Sequence, residues 1–515
     1  MYLPDWIQEY KEPHTEIKRI NNGFYKYEVS YAYNKEKKRT EKKTIRLLGK
    51  ITEKGGFIPS SKDVFRRKSE ELPQVDIKTF GIYNLFSEMM KEEVTSLQDF
   101  FDNDRTEVLL SFSMMRWAYQ TPIKRAAHYH SHDFCSEYWA TKSMSDKTVS
   151  LSLKYFGENR EKVVGWMQSL LKEVSENEQN FVLMDSTHSI SVSDNLSVNA
   201  KGYNPDFDFE KQIRLMYLFS ARMKQPVYYR LINGNITDVK SMSLCIKEMN
   251  VQGKVIFIAD KGFFSAENIA GMDQENLSYI IPLHRNNSMI DFLPLERSDF
   301  KKEMPYFIFQ ERVIWYYSYQ KGDYKLITFL DEALRVKEER DYLSRIDTHP
   351  ESYSKNKFDE KLHGFGTLTI VYKMTGKEED NPKKTKEWKQ KQKKNKKTEK
   401  EVSVEQTVYQ SYKQRNEIEV MFDSYKNYLD ADVSYMQNRY VAEGWLFANF
   451  IAMIAYYKLY VRLRQAELLN KYSPKDIIEL SKAICKVKIR GVWHPTEMTE
   501  KTRKIFAKIE IDYLK

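Results

Sequence analysis

Two aspartates close apolar runs of the chain. Asp185 follows FVLM in FVLMDSTHS, and Asp260 follows VIFIA in VIFIADKGFFS, where a Gly turn and Ser265, placed to cap a helix, come next. A carboxylate beside a buried strand is costly unless a cation or hydrogen bonds compensate it, so both positions invite metal chemistry. In open α/β sheets, sites form at the carboxyl ends of strands. Two acids on neighbouring strands can share divalent ions that relieve their mutual repulsion. Taken singly, Asp185 also reads as a turn or capping aspartate.

A third group lies in SYKQRNEIEVMFDSYKNYL, where Tyr412, Arg415, Glu419 and Lys426 stand at offsets of three, seven and fourteen. At about 3.6 residues per turn this spacing predicts one helix carrying all four on one face. Ile418, Met421, Tyr425 and Leu429 form an apolar stripe beside them. By itself this is also the pattern of an amphipathic helix with an Arg415–Glu419 pair on its solvated face.

These side chains need elements to hold them. Residues 15–60 alternate through Tyr25, Tyr27, Val29, Tyr31 and Tyr33, then turn at NKEKKRTEKK toward Ile45 and Leu47. That predicts a β-meander with a basic hairpin tip. From about Asn84 to Val174 the spacing is helical. From Phe181 short strands follow: FVLMD, NLSVNAKGYNPD as a hairpin, IRLMYLFS and QPVYYRLI, then a helix after Thr237 and the buried VIFIA. That order describes a mixed α/β sheet and fits a ribonuclease-H-like core. After YIIPL, residues 286–375 read as a β-rich segment broken by a charged helix, and Lys383–Lys400 as a linker without an apolar face. Helices are expected from Val404 to the C-terminus, punctuated by Pro474 and Pro495. The expected division is a β-meander over 1–65, a helical and DNA-binding domain over 66–178, and the first part of the core over 179–285. A β-rich insertion with the lysine linker follows over 286–402, then the second part of the core over 403–465 and a helical region over 466–515.

With all three motifs in order, the sequence resembles DDE transposases of the bacterial insertion sequence 4 group. Their third acid lies in a signature of Tyr, two residues, Arg, three residues, Glu, six residues, Lys, which Tyr412, Arg415, Glu419 and Lys426 match. The resemblance runs from about Phe181 to Tyr457. From Asp185 to Asp260 is 75 residues, and from Asp260 to Glu419 is 159. The second gap is too long for one strand and one helix, and the family often carries a β-rich insertion there. Its length, with the N-terminal meander, points to the branch named after insertion sequence 1634.

The resemblance implies that Asp185, Asp260 and Glu419 are the catalytic residues and the ligands of two Mg²⁺ ions, with Mn²⁺ able to substitute. Tyr412, Arg415 and Lys426 would contact DNA phosphates. Trp315, in the inserted segment, would stack as a wedge on a base or else serve as a core or hairpin tryptophan. The implied activity is cut-and-paste transposition: water nicks the transposon end, and the freed 3′-OH attacks the other strand, through a hairpin or by another route, and then target DNA. Implied partners are double-stranded DNA, as terminal inverted repeats and target, and a second copy of the chain in a synaptic complex. The implied location is the bacterial cytoplasm. A ribonuclease-H-like nuclease without strand transfer and a domesticated DNA-binding protein are the competing readings, and the intact acidic triad argues against the latter.

Composition agrees without deciding. The chain has 515 residues, 83 Lys and Arg against 73 Asp and Glu, and a net charge of +10. Ten lysines and two glutamates between Lys383 and Lys400 hold +8 of it. Three dispersed cysteines, Cys135, Cys245 and Cys485, exclude a disulfide framework and a zinc ribbon. The N-terminus lacks the apolar stretch of a signal peptide. Gly444–Tyr457 is too short for a membrane span and reads as a core helix. His128, His130, His132 and Cys135 are the one histidine cluster, but it lacks a glutamate between the spaced pair and a distant ligand, so zinc is not expected there. His188 and Lys261 flank the two aspartates and read as readily as structural and exposed residues.

Overall fold

The computed structural model describes residues 3–34, 38–62, 75–140, 143–175, 180–202, 210–236, 238–249, 255–297, 299–374 and 402–513. The lysine run 383–400 and the end of the expected 195–206 hairpin lie outside them. The chain forms two compact units, residues 1–78 with 486–496, and residues 79–485 with 497–515.

The first unit contains an antiparallel four-stranded sheet in sequence order: β1 (Thr15–Ile20), β2 (Gly23–Asn34), β3 (Arg39–Thr52) and β4 (Gly56–Pro59). Trp6 packs edge-on against Phe24, and Ile7, Val29 and Ile51 are buried. The expected meander is therefore present. A second sheet joins β5 (Val75–Thr79), β17 (Cys485–Ile489) and β18 (Val492–Pro495). The C-terminal region is thus not helical throughout. Arg490 and Gly491 both take positive φ, the backbone that a two-residue hairpin turn requires, and CKVKI alternates as a strand should.

In the second unit, helices α1 (Gly81–Met89), α2 (Lys91–Phe100), α3 (Asn103–Tyr119), α4 (Ala126–His132), α5 (Asp146–Glu158) and α6 (Arg160–Ser175) precede a mixed sheet of eleven strands. The sheet's heart is β6 (Asn180–Ser191), β8 (Lys211–Ser220) and β9 (Gln225–Asn233), an antiparallel meander, with the two-residue β7 (Ala200–Lys201) beside β8. Helix α7 (Asp238–Met249) leads into β10 (Val255–Ala259), which pairs parallel to β6, and α8 (Ala266–Gln274) into β11 (Ser278–Pro282), parallel to β10. Ser265 caps α8 by accepting the Asn268 N–H.

The segment expected as a β-rich insertion supplies β12 (Tyr306–Phe309), β13 (Arg312–Lys321), β14 (Tyr324–Asp331) and β15 (Thr367–Lys373). These strands form no separate sheet: β15 pairs antiparallel with β11, and the one sheet continues outward. The charged helix breaking them is α9 (Glu332–Thr348), followed by α10 (Lys355–Lys361). The chain then enters α11 (Val404–Lys413), α12 (Asn416–Asp423), α13 (Arg439–Gln465), α14 (Pro474–Lys482) and α15 (Glu500–Lys508).

Helix α13 backs the meander, with Phe447 and Phe450 against Tyr229. Among the described residues it is the one helix long and apolar enough to cross a membrane, but 72% of its apolar window is buried within the protein, as a core helix requires. Its Gly444 lies against α5, where a Cβ would sit 1.9 Å from the Leu153 carbonyl oxygen, so the two backbones touch.

Candidate active site

The register of β6 and β10 sets the site. Ala259, the last residue of β10, pairs with Met184 of β6, so Asp260 and Asp185 are the next residues on adjacent parallel strands. Asp185 does not end its strand, as its sequence suggests. β6 runs on to Ser191 because β8 pairs along its other edge, up to Ile190↔Gln212. The acid therefore stands where the sheet opens on one side only. Asp260 adopts an extended backbone and makes no capping hydrogen bond to the turn Lys261–Phe263, which removes the simplest structural use for it.

The third motif was expected as one continuous helix and is broken twice. α11 ends at Lys413, α12 begins after Arg415, and Ser424–Tyr428 forms a wide π turn. The first break places Arg415 at the joint, pointing back at the strand ends. Its guanidinium lies 3.3 Å from Asp185 Oδ2, 3.6 Å from Asp260 Oδ1 and 3.0 Å from Glu419 Oε1. The anticipated Arg415–Glu419 pair exists, but on a guanidinium only 17% exposed, so it is not a solvated-face pair.

The π turn shifts the helical phase, and Lys426 pairs with Asp432 at 3.4 Å rather than joining the acids. Beyond it the chain returns to β6. The Ile190 N–H donates to the Asp432 carbonyl, and β16 (Val433–Ser434) pairs parallel with Ile190–Ser191.

The electrostatics are unbalanced. Burial pushes the Asp185 carboxyl up to about 6, against the pull of Arg415 and the Ser186 N–H, and Asp260 adds to the rise. Burial works against the Arg415 charge, but Asp185, Asp260, Tyr412 and Glu419 hold its pKa above the ordinary value. Burial also raises the Tyr412 phenol, which sits beside Arg415. Arg415 Nε is buried and has no hydrogen-bond partner among the described residues.

Three carboxylates from three elements around one cation are hard oxygen donors with negative charge in excess, a set that suits Mg²⁺ or Mn²⁺. They are gathered about Arg415 rather than about one another. Among the described residues, no group of three or more His, Cys, Asp or Glu is arranged to hold a metal ion. This includes the histidine cluster: His128 and His132 lie ring to ring at 4.7 Å, and His130 Nε2 bonds to the Trp139 carbonyl.

Other expected residues fall nearby or elsewhere. His188 is opposite Arg214 of β8, whose Nη1 donates to Ser186 Oγ at 3.4 Å. Lys261 is exposed. Trp315 lies in β13, its indole N–H donating to Glu332 and its ring against Phe300 and Tyr306, within the edge of the sheet rather than among the acids.

One residue escaped notice in the sequence. Arg116, deep in α3, donates through Nε to Asn449 at 2.9 Å, and through Nη1 and Nη2 to the carbonyls of Gln120 and Leu429. Burial lowers its pKa to about 10. It ties α3 to the end of the segment that carries Glu419. The available signal was an arginine inside the apolar run VLLSFSMMRWAY.

A family described as the transposase DDE domain matches residues 176–455. A comparison with curated proteins gave no match. Among solved structures, the chain is similar to the cryo-EM structure of a piggyBac transposase synaptic complex with hairpin DNA, at 10% identity and a TM-score of 0.37, over 74% of this chain and 70% of that one.

Proposed function

This chain belongs to the transposase DDE domain family, and on that premise we propose that it is an insertion-sequence transposase that cleaves DNA at the element's ends and joins them to target DNA. The observation that carries the assignment is the convergence of Asp185, Asp260 and Glu419, from two strands and a helix, on the single guanidinium of Arg415. The ribonuclease-H-like reading of the core is supported by the β6–β8–β9 meander with β10 and β11 running parallel to β6. The signature residues and the length of the gap before Glu419 favour the insertion sequence 4 group and its 1634 branch.

Asp185, Asp260 and Glu419 would hold two divalent ions, Mg²⁺ or Mn²⁺, which when bound supply Lewis-acid activation of the attacking oxygen and stabilise the leaving one. The residues of this chain do the rest. Arg415, with an unused Nε–H and a raised pKa, stays charged and can donate to a phosphate oxygen in place of a carboxylate. Tyr412, beside it, limits water at that guanidinium and offers a hydroxyl to the same phosphate. Lys426 reaches DNA only by leaving Asp432, a half-exposed partner it can release cheaply. At the scissile phosphate, a water or 3′-OH oxygen forms the new P–O bond as the bond to the leaving 3′ oxygen breaks, without a covalent enzyme intermediate. Trp315 would stack on a base only by releasing Glu332 and its packing with Phe300 and Tyr306.

The acting form would be a homodimer bridging two inverted repeats, in the bacterial cytoplasm at the nucleoid. Paired element ends with flanking DNA and Mg²⁺ test the assignment: joined strand-transfer products are expected. Nicking without joining would make the chain a nuclease.

A further inference from the structure

The first unit holds a ribbon that the catalytic account leaves unused. β2 and β3 pair along their whole length, from Phe24↔Ile51 to Asn34↔Arg39. β1 accompanies β2 only as far as Glu28, and β4 accompanies β3 only from Gly49 to Thr52. From Val29 and Thr44 outward the two strands run without a third, for about 20 Å at roughly 3.3 Å per residue. A lone two-stranded ribbon in water is marginal, and its open edges invite unwanted pairing. This one gains no core in return, because Tyr31 is 57% exposed and Tyr33 63%.

Its chemistry indicates what covers it. Among the described residues beyond Val29 and Thr44, Lys38, Arg39, Lys42 and Lys43 face a single acid, Glu41. Tyr31 and Tyr33, two residues apart, share one face, and Lys42 lies directly opposite Tyr31. Lys42 is tethered to Glu16 at 2.6 Å, and Arg39 lies 3.5 Å from Glu41 in an exposed pair that a phosphate can replace, so Lys38, Arg39 and Lys43 stand toward the end of the ribbon. A two-stranded ribbon fits the major groove of duplex DNA, about 12 Å wide, and lysine and arginine along it meet the phosphates on either side.

We propose that the free end of the β2–β3 ribbon is a duplex-DNA docking arm, with Lys38, Arg39 and Lys43 on phosphates and Tyr31 and Tyr33 against sugars and base edges. The proposal rests on the transposase reading and adds a DNA contact outside the matched family segment. It explains why an exposed ribbon is retained and why its charge is one-sided.

The test uses the full chain and a short labelled duplex of arbitrary sequence, with binding followed by fluorescence anisotropy across roughly 50–200 mM salt. The triple variant Lys38→Gln, Arg39→Gln, Lys43→Gln is expected to bind about tenfold or more weaker, with a log–log salt slope shallower by about 2 to 3, near 0.9 per lost phosphate contact. Tyr31→Ser with Tyr33→Ser is expected to weaken binding severalfold at an unchanged slope. All five positions are exposed, so the unfolding transition should not move. Duplex binding within twofold of wild type in the triple variant overturns the proposal. Loss confined to single strands, or loss of self-association alone, also overturns it, assigning the arm to unpaired nucleic acid or to a second copy of the chain. The two readings fail separately: arm-dependent binding without strand joining sinks the transposase assignment and leaves the arm, whereas strand joining with duplex affinity unchanged in the triple variant sinks the arm and leaves the assignment.

Discussion

Among the described residues, two largely buried arginine-centred acid clusters are built to opposite ends. Around Arg160, Glu248 stands at 3.1 Å and Glu443 at 3.8 Å, and Arg230 reaches Glu248 at 3.5 Å, so two guanidiniums meet two carboxylates. Arg160 also donates to the Tyr229 carbonyl and lies 4.7 Å over the Tyr229 ring, and the Tyr228 hydroxyl closes on Glu248. Around Arg415, three carboxylates meet one guanidinium, and Glu419 is half exposed. The first cluster is balanced in charge, as a structural network must be. The second carries surplus negative charge at an opening in the sheet, which is what a site for cations and a phosphate needs. Charge balance, rather than burial or ion-pair count, separates structure from chemistry here.

The largest expected effects break this comparison at the acids. Asp185→Asn, Asp260→Asn and Glu419→Gln should each lower strand cleavage by about 10³-fold or more, the scale of several kcal/mol of transition-state stabilisation. Unfolding temperature should hold or rise. Glu443→Gln should leave the rate constant of correctly folded protein within a few-fold. Equal losses of cleavage in both clusters would remove the distinction.

Next in size, Arg160→Met should cost about 3–5 kcal/mol of stability by leaving Glu443 buried without its ion-pair partner and Glu248 with Arg230 alone, read by denaturant unfolding. Arg415→Met should cost clearly less, because Asp185 can take up a proton and Glu419 is already hydrated, yet it should abolish cleavage.

The third effect is a pH dependence. The folded chain holds the Asp185 proton up to about 6, against an ordinary value near 3.8, so it binds that proton more tightly than the unfolded chain does. Stability from this group is therefore full below the ordinary carboxylate range and falls as pH rises toward 6, by at most roughly 3 kcal/mol. Asp185→Asn should flatten that decline in metal-free unfolding curves. A wild-type curve that rises over the same window would contradict the assigned environment.

The smallest is Arg116→Lys. It keeps the charge and loses the fork that holds the Gln120 and Leu429 carbonyls, for about 1–3 kcal/mol. Cleavage should fall more than DNA binding does, since the clamp positions the Glu419 segment. A proportional fall in both would make Arg116 merely structural.

Much of this was legible in the sequence. VIFIA before Asp260 could only be a short buried strand, and FVLM before Asp185 its neighbour, because uniformly apolar runs of that length suit a sheet covered on both faces. The alternation at 23–33 gave the ribbon, and Ser265 the cap of α8. What stayed hidden depends on contacts distant in sequence. Periodicity cannot reveal that Arg415 interrupts a helix to face two strands, since its stabilisation comes from residues more than 150 positions away. Nor can it show the π turn that carries Lys426 off the site, or the pairing of β15 with β11 that makes the insertion an extension of the core sheet. The hairpin at 485–495 was missed because Arg490–Gly491 was not read as a turn.

The most direct measurement of the central claim is a Mn²⁺ titration followed by electron paramagnetic resonance, on wild type, Asp185→Asn and Glu443→Gln. If the surplus acids around Arg415 form the catalytic centre, wild type and Glu443→Gln bind Mn²⁺ alike, binding weakens as pH falls through about 6 as protons reclaim Asp185, and Asp185→Asn loses it. Undiminished Mn²⁺ binding by Asp185→Asn would contradict the account.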